Sequence, residues 1–213
     1  MAVVTISRQY GAGGRRVATR VAEALGFRLA DADLIDEAAR RLGVDPELAR
    51  GWDERAPAVI EELGLALAAG TPLVGGGPAP QFDPQLLSDV ALAEATRRVI
   101  ESLAASGGYV VLGRGAQAAL QGRRDAVHLW VVGDVLDRAR RIMEWQGLSE
   151  RQARDMCERV DSERAGYLRR YYGKDLRDPH LYDAILNTSR LGVEGAAQAA
   201  VDIAMRRVGA AQE

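Results

Sequence analysis

The residues at the start of the chain are suited to binding phosphate. The β-branched run Val3–Ile6 predicts a short buried strand, and the apolar spacing from Arg15 to Leu25 predicts a helix. Between them lies a glycine turn with the sequence Gly11-Ala12-Gly13-Gly14. Glycines let backbone N–H groups turn towards a ligand, and the N-terminus of a helix adds partial positive charge. We therefore predict that this glycine turn and its flanking residues hold phosphate.

The turn lacks the lysine of the P-loop motif, G-x-x-x-x-G-K-[ST]. In one alignment the chain keeps Gly13 but has Arg8 at the position of the first glycine. Gly14 then stands at the lysine and Arg15 at the Ser/Thr position, while a shift of one residue makes Arg15 the cation. Lys174 is the only lysine in the chain, so an arginine must supply the charge here. The two side chains are not equivalent, because arginine is a planar fork and lysine a compact charge.

Two other interpretations of the turn remain open. It could connect a strand to a helix without binding any ligand. It also matches the first half of a dinucleotide fingerprint, with Asp31 or Asp33 about 20 residues further on at the end of a second strand. The third glycine of that fingerprint would fall at Arg16, whose bulk opposes close packing of helix on strand.

Arginines recur after the later predicted strands. Arg114 follows a third strand and stands between Gly113 and Gly115, where a guanidinium is well placed to hold phosphate bidentately. A surface arginine at a turn is the alternative interpretation. Arg138 and Arg141 fall on the helix predicted after the fourth strand.

A long charged helix follows, on which Asp161 and Arg164 are three residues apart and share a face. Phosphoryl transfer needs several cations around the transferring group, and often a lid that excludes water. We predict that this helix is such a lid. A solvated, ion-paired helix face is the alternative for most of its charged residues.

Composition excludes several functions. Of the 213 residues 47% are hydrophobic and 27% are charged, which predicts a folded core. The net charge of −2 argues against binding to nucleic acid or to a membrane surface. The single cysteine, Cys157, and the two distant histidines, His128 and His180, argue against disulfides and a zinc site. No run is apolar enough for a secretory signal or a membrane span, so we expect a cytoplasmic protein.

Short apolar runs alternate with helical patterns along the chain. Strands are predicted at 3–6, 27–30, 109–112, 126–132 and 184–187, and the main helices at 15–25, 85–105, 134–146, 149–172 and 192–208. Residues 70–84 are rich in glycine and proline and predict a mobile connector. Strands that are apolar on both faces predict a parallel sheet covered by helices on two sides, with ligands at the carboxyl ends of the strands.

Taken together, these blocks resemble the cytidylate kinase-like family, within the P-loop nucleoside monophosphate kinases. The resemblance runs from Ile6 to about Glu194, and the order and spacing of the blocks are more specific than any single one. Its blocks are Ile6–Arg15, Asp31–Ile35, Gly113–Ala116, Asp137–Arg141, Asp161-x-x-Arg164, Tyr182-Asp183 and Asn187–Ser189.

The resemblance implies one α/β domain over residues 1–213, a P-loop NTPase-like three-layer sandwich around five parallel strands. It implies a helical monophosphate-binding lobe at about 33–105 and a lid region at about 145–173. The implied reaction moves the γ-phosphate of ATP, with Mg²⁺, to a nucleoside monophosphate or a similar phosphorylated small molecule, and no protein ligand to the metal is implied. A homodimer is compatible with the sequence but not required by it.

By position, the resemblance assigns roles to individual residues. The ATP phosphates would lie on Gly11, Ala12, Gly13, Gly14, Arg15 and Arg16. The acceptor would be held by Asp33, Arg114, Asp161 and Arg164. The catalytic cations would be Arg15, Arg16, Arg138 and Arg141.

The chain departs from the family pattern at three positions. The loop lysine is absent, Gly115 replaces the Asp after Arg114, and Cys157 replaces an arginine four residues before Asp161. The missing lysine favours a second hypothesis, a nucleotide-binding regulatory module that has lost catalysis. A dinucleotide-dependent enzyme is the third.

Overall fold

The computed structural model describes residues 2–31 and 89–210 of the chain. The predicted connector at 70–84, most of the predicted monophosphate-binding lobe and Asp33 lie outside these residues. The described elements, in chain order, are β1 (Val3–Arg8), α1 (Gly14–Leu25), β2 (Arg28–Ala30), α2 (Asp89–Ser106), β3 (Tyr109–Leu112), α3 (Ala116–Ala119), β4 (Ala126–Val132), α4 (Val135–Gln146), α5 (Glu150–Tyr172), a 3₁₀ turn (Pro179–Leu181), β5 (Ala184–Asn187) and α6 (Thr188–Ala210).

The five strands form one parallel sheet in the order β2-β3-β1-β4-β5. The expectation of a five-stranded parallel sheet is therefore confirmed. Strand β1 is central, since Val3 is in register with Tyr109 on one side and with Ala126 on the other. All carboxyl ends lie at the same edge, where a parallel sheet places its ligands.

Helices cover both faces of the sheet, as predicted. Successive side chains of a strand point to opposite faces, so Val4 packs beneath α1 and α6 while Val3 packs against α2 and α3. Both valines have no exposed surface. The result is a three-layer α/β sandwich in which strand burial on both faces fixes the position of the central carboxyl end.

Helices α4 and α5 pack against each other beside this sandwich through Ala139, Ile142, Ala153 and Cys157. Asp134 is the N-cap residue of α4, and its carboxylate makes no cap hydrogen bond. Its backbone N–H donates to Ser189 Oγ at 2.7 Å instead. A capping box begins α5, because Ser149 Oγ accepts from the backbone N–H of Gln152, and the Gln152 side chain accepts from the backbone N–H of Ser149.

Ser149→Ala should lower the free energy of unfolding by about 1 kcal/mol, since it removes the acceptor at the start of α5. Urea denaturation measures this. Ser102→Ala, at an exposed position within α2, is the matched control and should change the value by less than about 0.5 kcal/mol. Equal effects of the two substitutions would show that the capping box contributes nothing.

The last helix differs from its prediction at its start. It was predicted over 192–208, but the helical segment spans Thr188–Ala210. Gly192 interrupts it with φ 68° and ψ 165°, a conformation that favours glycine. Among the described residues, no helix combines the length and apolar character needed to cross a membrane.

Candidate active site

The glycine turn connects β1 to the N-terminus of α1, as the sequence predicted. Gly11 and Gly13 have φ values of 73° and 82°, in the left-handed region that favours glycine. A Cβ on Gly11 would lie 2.8 Å from the carbonyl oxygen of Arg138, and one on Gly13 would lie 2.9 Å from Val193. Both positions therefore require glycine for conformation and for space, and the turn ends at Gly13 as the N-cap of α1.

Arg15 and Arg16, the cations predicted for the phosphates, lie in the first turn of α1. Their side chains are about 70% exposed, at 71% and 69%. Arg15 forms an ion pair with Asp31 at the end of β2, and Arg16 pairs with Glu194 of α6 at 2.5 Å. The Arg16–Glu194 pair is exposed on both sides and contributes little to stability, so a phosphate bound at the start of α1 would compete with it at small cost. The Asp31 side chain is more buried, with 13% exposed.

A cleft opens at the carboxyl ends of β1 and β3, beneath α5. Three arginines from three elements line it, namely Arg8 of β1, Arg114 of the turn after β3 and Arg164 of α5. We call this the arginine cleft. Glu163 and Tyr167 also lie in its wall, and the cavity between these side chains has a volume of about 50 Å³.

The backbone after β3 is shaped to admit Arg8. Gly113, Arg114 and Gly115 all have positive φ, at 83°, 59° and 71°. A methyl group on Gly113 would overlap with the guanidinium of Arg8, and one on Gly115 would overlap with the ring of Tyr172. The glycine at 115, where the family pattern has Asp, is thus explained by the aromatic ring that fills the space.

The arginine cleft carries concentrated positive charge. Burial, and then the neighbouring guanidinium of Arg8, lower the pKa of Arg114 to about 9. Arg164 acts in the same direction, although more weakly. Burial raises the pKa of Tyr167, which keeps its hydroxyl protonated. An anionic ligand between these guanidinium groups would stabilise the charged forms that burial and mutual repulsion disfavour.

Arg114 is the one non-glycine residue among those described that has positive φ. Arg114→Gly should therefore give a higher free energy of unfolding than Arg114→Ala, by about 1 kcal/mol, because glycine adopts this conformation without strain. Chemical denaturation of the two variants measures the difference. Both variants should lose affinity for the acceptor to the same extent, since neither has a guanidinium. A more stable alanine variant would contradict this explanation.

The remaining predicted residues lie on the far side of the glycine turn. Arg138 is buried, with 7% of its side chain exposed, and Asp161 accepts a hydrogen bond from it at 2.7 Å. Asp161 also accepts from the backbone N–H of Tyr10 at 2.7 Å. Arg141 donates to the carbonyl oxygen of Gly11 at 3.1 Å and to Thr188 Oγ1 at 3.3 Å.

Sequence reasoning missed Arg8 as a member of the cleft. The only signal was its occurrence at the position of the first glycine of the phosphate-binding motif. Arg8 and Arg114 come together because β1 and β3 are neighbours, with Ile6 in register with Leu112. Tyr167 of α5 also lines the cleft and contacts the rings of Tyr171 and Tyr172.

The sequence as a whole matches a known family model over residues 3–190, that of the cytidylate kinase-like family. The chain belongs to the cytidylate kinase-like family. A cytidylate kinase of Pyrococcus horikoshii is 27% identical over 195 residues, covering 91% of this chain and 83% of that protein. A cytidylate kinase of Thermococcus kodakarensis is 34% identical over 68 residues, a match that spans only 35% of that protein and 32% of this chain.

Several solved structures have folds similar to that of this chain. An uncharacterized protein from Eubacterium ventriosum superposes with a TM-score of 0.68 at 19% identity, covering 96% of this chain and 99% of that one. A shikimate kinase from Bacteroides thetaiotaomicron gives a TM-score of 0.52 at 15% identity, covering 95% of this chain and 97% of that one. The fold is thus that of the P-loop kinases, and with the family it makes this chain a kinase-like phosphotransferase.

The strand order of this cytidylate kinase-like chain differs from that of a dinucleotide-binding domain. Such a domain places its second strand beside the first, in the order 3-2-1-4-5-6. Here β3 lies between β1 and β2, so Asp31 follows a strand that is one position removed from the glycine turn. This topology gives no support to the dinucleotide hypothesis.

Proposed function

We propose that this chain transfers the γ-phosphate of ATP to a nucleoside monophosphate. The observation that carries the proposal is the arginine cleft, in which Arg8, Arg114 and Arg164 line one cavity directly beside the glycine turn. A monophosphate brings a charge close to −2, which matches a cleft of clustered guanidinium groups. The tail of ATP and the acceptor phosphate would then meet at the end of β1.

The donor would lie on the glycine turn. Backbone N–H groups from Gly11 to Gly14 and the N-terminus of α1 supply hydrogen bonds and partial positive charge. Arg15 and Arg16 exchange their partners Asp31 and Glu194 for phosphate oxygens. They take the place of the missing lysine at the entrance of the turn.

The reaction depends on the positioning of the two substrates and on neutralisation of phosphate charge, and it needs no general base. An oxygen of the acceptor phosphate attacks the γ-phosphorus of ATP, the bond from that phosphorus to the β,γ-bridging oxygen breaks, and ADP leaves. The acceptor oxygen is already ionised near neutral pH, so no proton has to be removed first. Arginines on both sides of the transferring group neutralise the charge that spreads over its equatorial oxygens.

The donor set is compatible with Mg²⁺ that arrives with the nucleotide. Among residues 2–31 and 89–210, no three His, Cys, Asp or Glu side chains cluster as a metal site would require. Mg²⁺ in nucleotide sites is held mainly by phosphate oxygens and water, with one or two carboxylates. When bound, the ion would neutralise phosphate charge.

A second function is favoured by the exposure of Arg15 and Arg16. If neither side chain reaches the β- and γ-phosphates, the chain would bind nucleotide without turnover, as a regulatory module. The two functions differ in one measurable property, which is whether ADP forms.

A coupled assay of ADP release separates the two functions. The purified chain is incubated with ATP and Mg²⁺ and with each of a panel of nucleoside monophosphates. We expect ADP release that depends on one class of monophosphate and that falls in Arg15→Ala and Arg16→Ala. Thermal shifts with ATP and with a monophosphate, but no ADP from any pair, would favour the binding module.

A further inference from the structure

We propose that Asp161 and Arg138 are positioning residues that hold the phosphate-binding turn in its working shape, and that Asp161 does not bind the acceptor. The consequences of this inference for catalysis rest on the proposed function, whereas the positioning contacts themselves lie within the chain. It reassigns a pair of residues that the family resemblance places on the substrates.

The first observation is that hydrogen bonds within the chain engage both oxygens of Asp161. Oδ1 accepts from the backbone N–H of Tyr10 at 2.7 Å, and Oδ2 accepts from Arg138 Nη1 at 2.7 Å. The side chain is 21% exposed and belongs to α5, 151 positions along the chain from Tyr10. Both oxygens are therefore committed to contacts within the chain, and a ribose or base would have to share them.

The second observation is that Arg138 uses three of its five N–H groups for hydrogen bonds within the chain. Nε donates to the carbonyl oxygen of Gly133 at 2.8 Å, and Nη1 donates to the carbonyl oxygen of Tyr10 at 3.0 Å as well as to Asp161. Only 7% of the side chain is exposed. A buried guanidinium with three acceptors fixes its surroundings and is poorly placed to follow a transferring phosphoryl group.

The third observation is that side chains of α4 and α5 converge on Tyr10, which directly precedes the glycine turn. Its hydroxyl accepts from Gln146 Nε2 at 2.9 Å, and its ring lies 5.7 Å from the guanidinium of Arg164. Together with Asp161 and Arg138, contacts from α4 and α5 therefore engage its N–H, its carbonyl, its hydroxyl and its ring. The next residue, Gly11, is fixed from the same side by Arg141.

A mechanism follows from these contacts. The glycine turn binds phosphate through backbone N–H groups, and their direction depends on the dihedral angles of residues 10–13. Asp161 and Arg138 fix the dihedral angles of Tyr10, because they bind its backbone N–H and its backbone carbonyl. Small displacements of such a turn are costly, because an error of about 1 Å in the position of a bound group lowers rates by about a hundredfold.

The test compares Asp161→Ala with Asp155→Ala, which removes an exposed carboxylate of the same helix that pairs with Arg151 only at 3.9 Å. Three quantities are measured for each variant: hydrogen exchange at the Tyr10 amide, Kd for ATP alone, and Kd for CMP alone. For Asp161→Ala we expect exchange to accelerate by about tenfold or more, and Kd for ATP to rise between about tenfold and a hundredfold. Kd for CMP should stay within about twofold, and Asp155→Ala should change none of the three.

Arg138→Lys keeps the charge but cannot serve all three acceptors, and it provides a second route if Asp161→Ala does not fold. It should show the same pattern with a smaller rise in Kd for ATP. The double variant should be no worse than Asp161→Ala alone, because the two residues act through one contact.

Two results would overturn the inference. One is an unchanged rate of exchange at Tyr10 in Asp161→Ala. The other is a rise in Kd for CMP without a rise for ATP, which would return Asp161 to the acceptor site. Failure of the proposed function looks different, since the wild-type chain would then release no ADP with any monophosphate while exchange at Tyr10 still reported on the positioning contact.

Discussion

Arg8→Ala should lower kcat/KM for the monophosphate by at least about a hundredfold, which corresponds to about 2.7 kcal/mol of lost transition-state stabilisation. Arg8 lines the arginine cleft from the end of the central strand, closest to the glycine turn. Without Arg8, the acceptor phosphate, whose oxygen attacks ATP, is bound by one guanidinium fewer. Steady-state kinetics with saturating ATP measure the effect, and KM for ATP should change little.

Two companion variants make this prediction specific. Gly113→Ala keeps Arg8 but adds a methyl group where its guanidinium lies, which forces the guanidinium to move. This variant should therefore lower kcat/KM for the monophosphate as Arg8→Ala does. Gly122→Ala is the control, since Gly122 also has positive φ, at 90°, but a Cβ there would have no atom within 4 Å. Arg140→Ala, which removes an exposed arginine of α4, controls for charge. If Arg8→Ala and Arg140→Ala lower kcat/KM equally, the arginine cleft has no special role.

Gly13→Ala should raise Kd for ATP by about a hundredfold and leave Kd for the monophosphate within about twofold. A Cβ at this position would lie 2.9 Å from Val193, and φ of 82° is strained for alanine. The glycine turn must then move, and its N–H groups lose their common direction at the start of α1. Titration calorimetry with each ligand alone measures both constants.

The same Gly122→Ala variant is the control for backbone strain here, because it carries the strained φ without the contact to Val193. It should bind ATP as the wild-type chain does. An unchanged Kd for ATP in Gly13→Ala would mean that the nucleotide does not lie on this turn, and the donor site would have to be sought elsewhere.

Most of the fold could be predicted from the sequence because its signals are local. Each strand is a short apolar run next to a glycine or a polar turn, and α1 ends at Gly26, which has φ 65°. The capping box at Ser149 is equally local. The start of α6 was predicted four residues late, because Gly192 was taken as the helix boundary when it is a break within a longer helical segment.

The site was less predictable, because its contacts join distant parts of the chain. The glycine turn and Arg114 follow strands, so their place at the carboxyl edge follows from parallel topology. The position of Arg8 depends on strand order, since only a β1–β3 pairing brings it to Gly113. The bond from Tyr10 to Asp161 likewise depends on how α5 packs, and no local pattern encodes it.

Transfer of labelled phosphate from ATP tests the central claim most directly. The wild-type chain is incubated with ATP labelled at the γ-phosphate, with Mg²⁺ and with a panel of nucleoside monophosphates, and the products are separated. We predict that label appears in a nucleoside diphosphate, and that Arg8→Ala and Gly13→Ala each suppress its formation. Label that remains in ATP, or that appears only as inorganic phosphate with every acceptor, would contradict the proposal that the glycine turn and the arginine cleft form one phosphotransfer site.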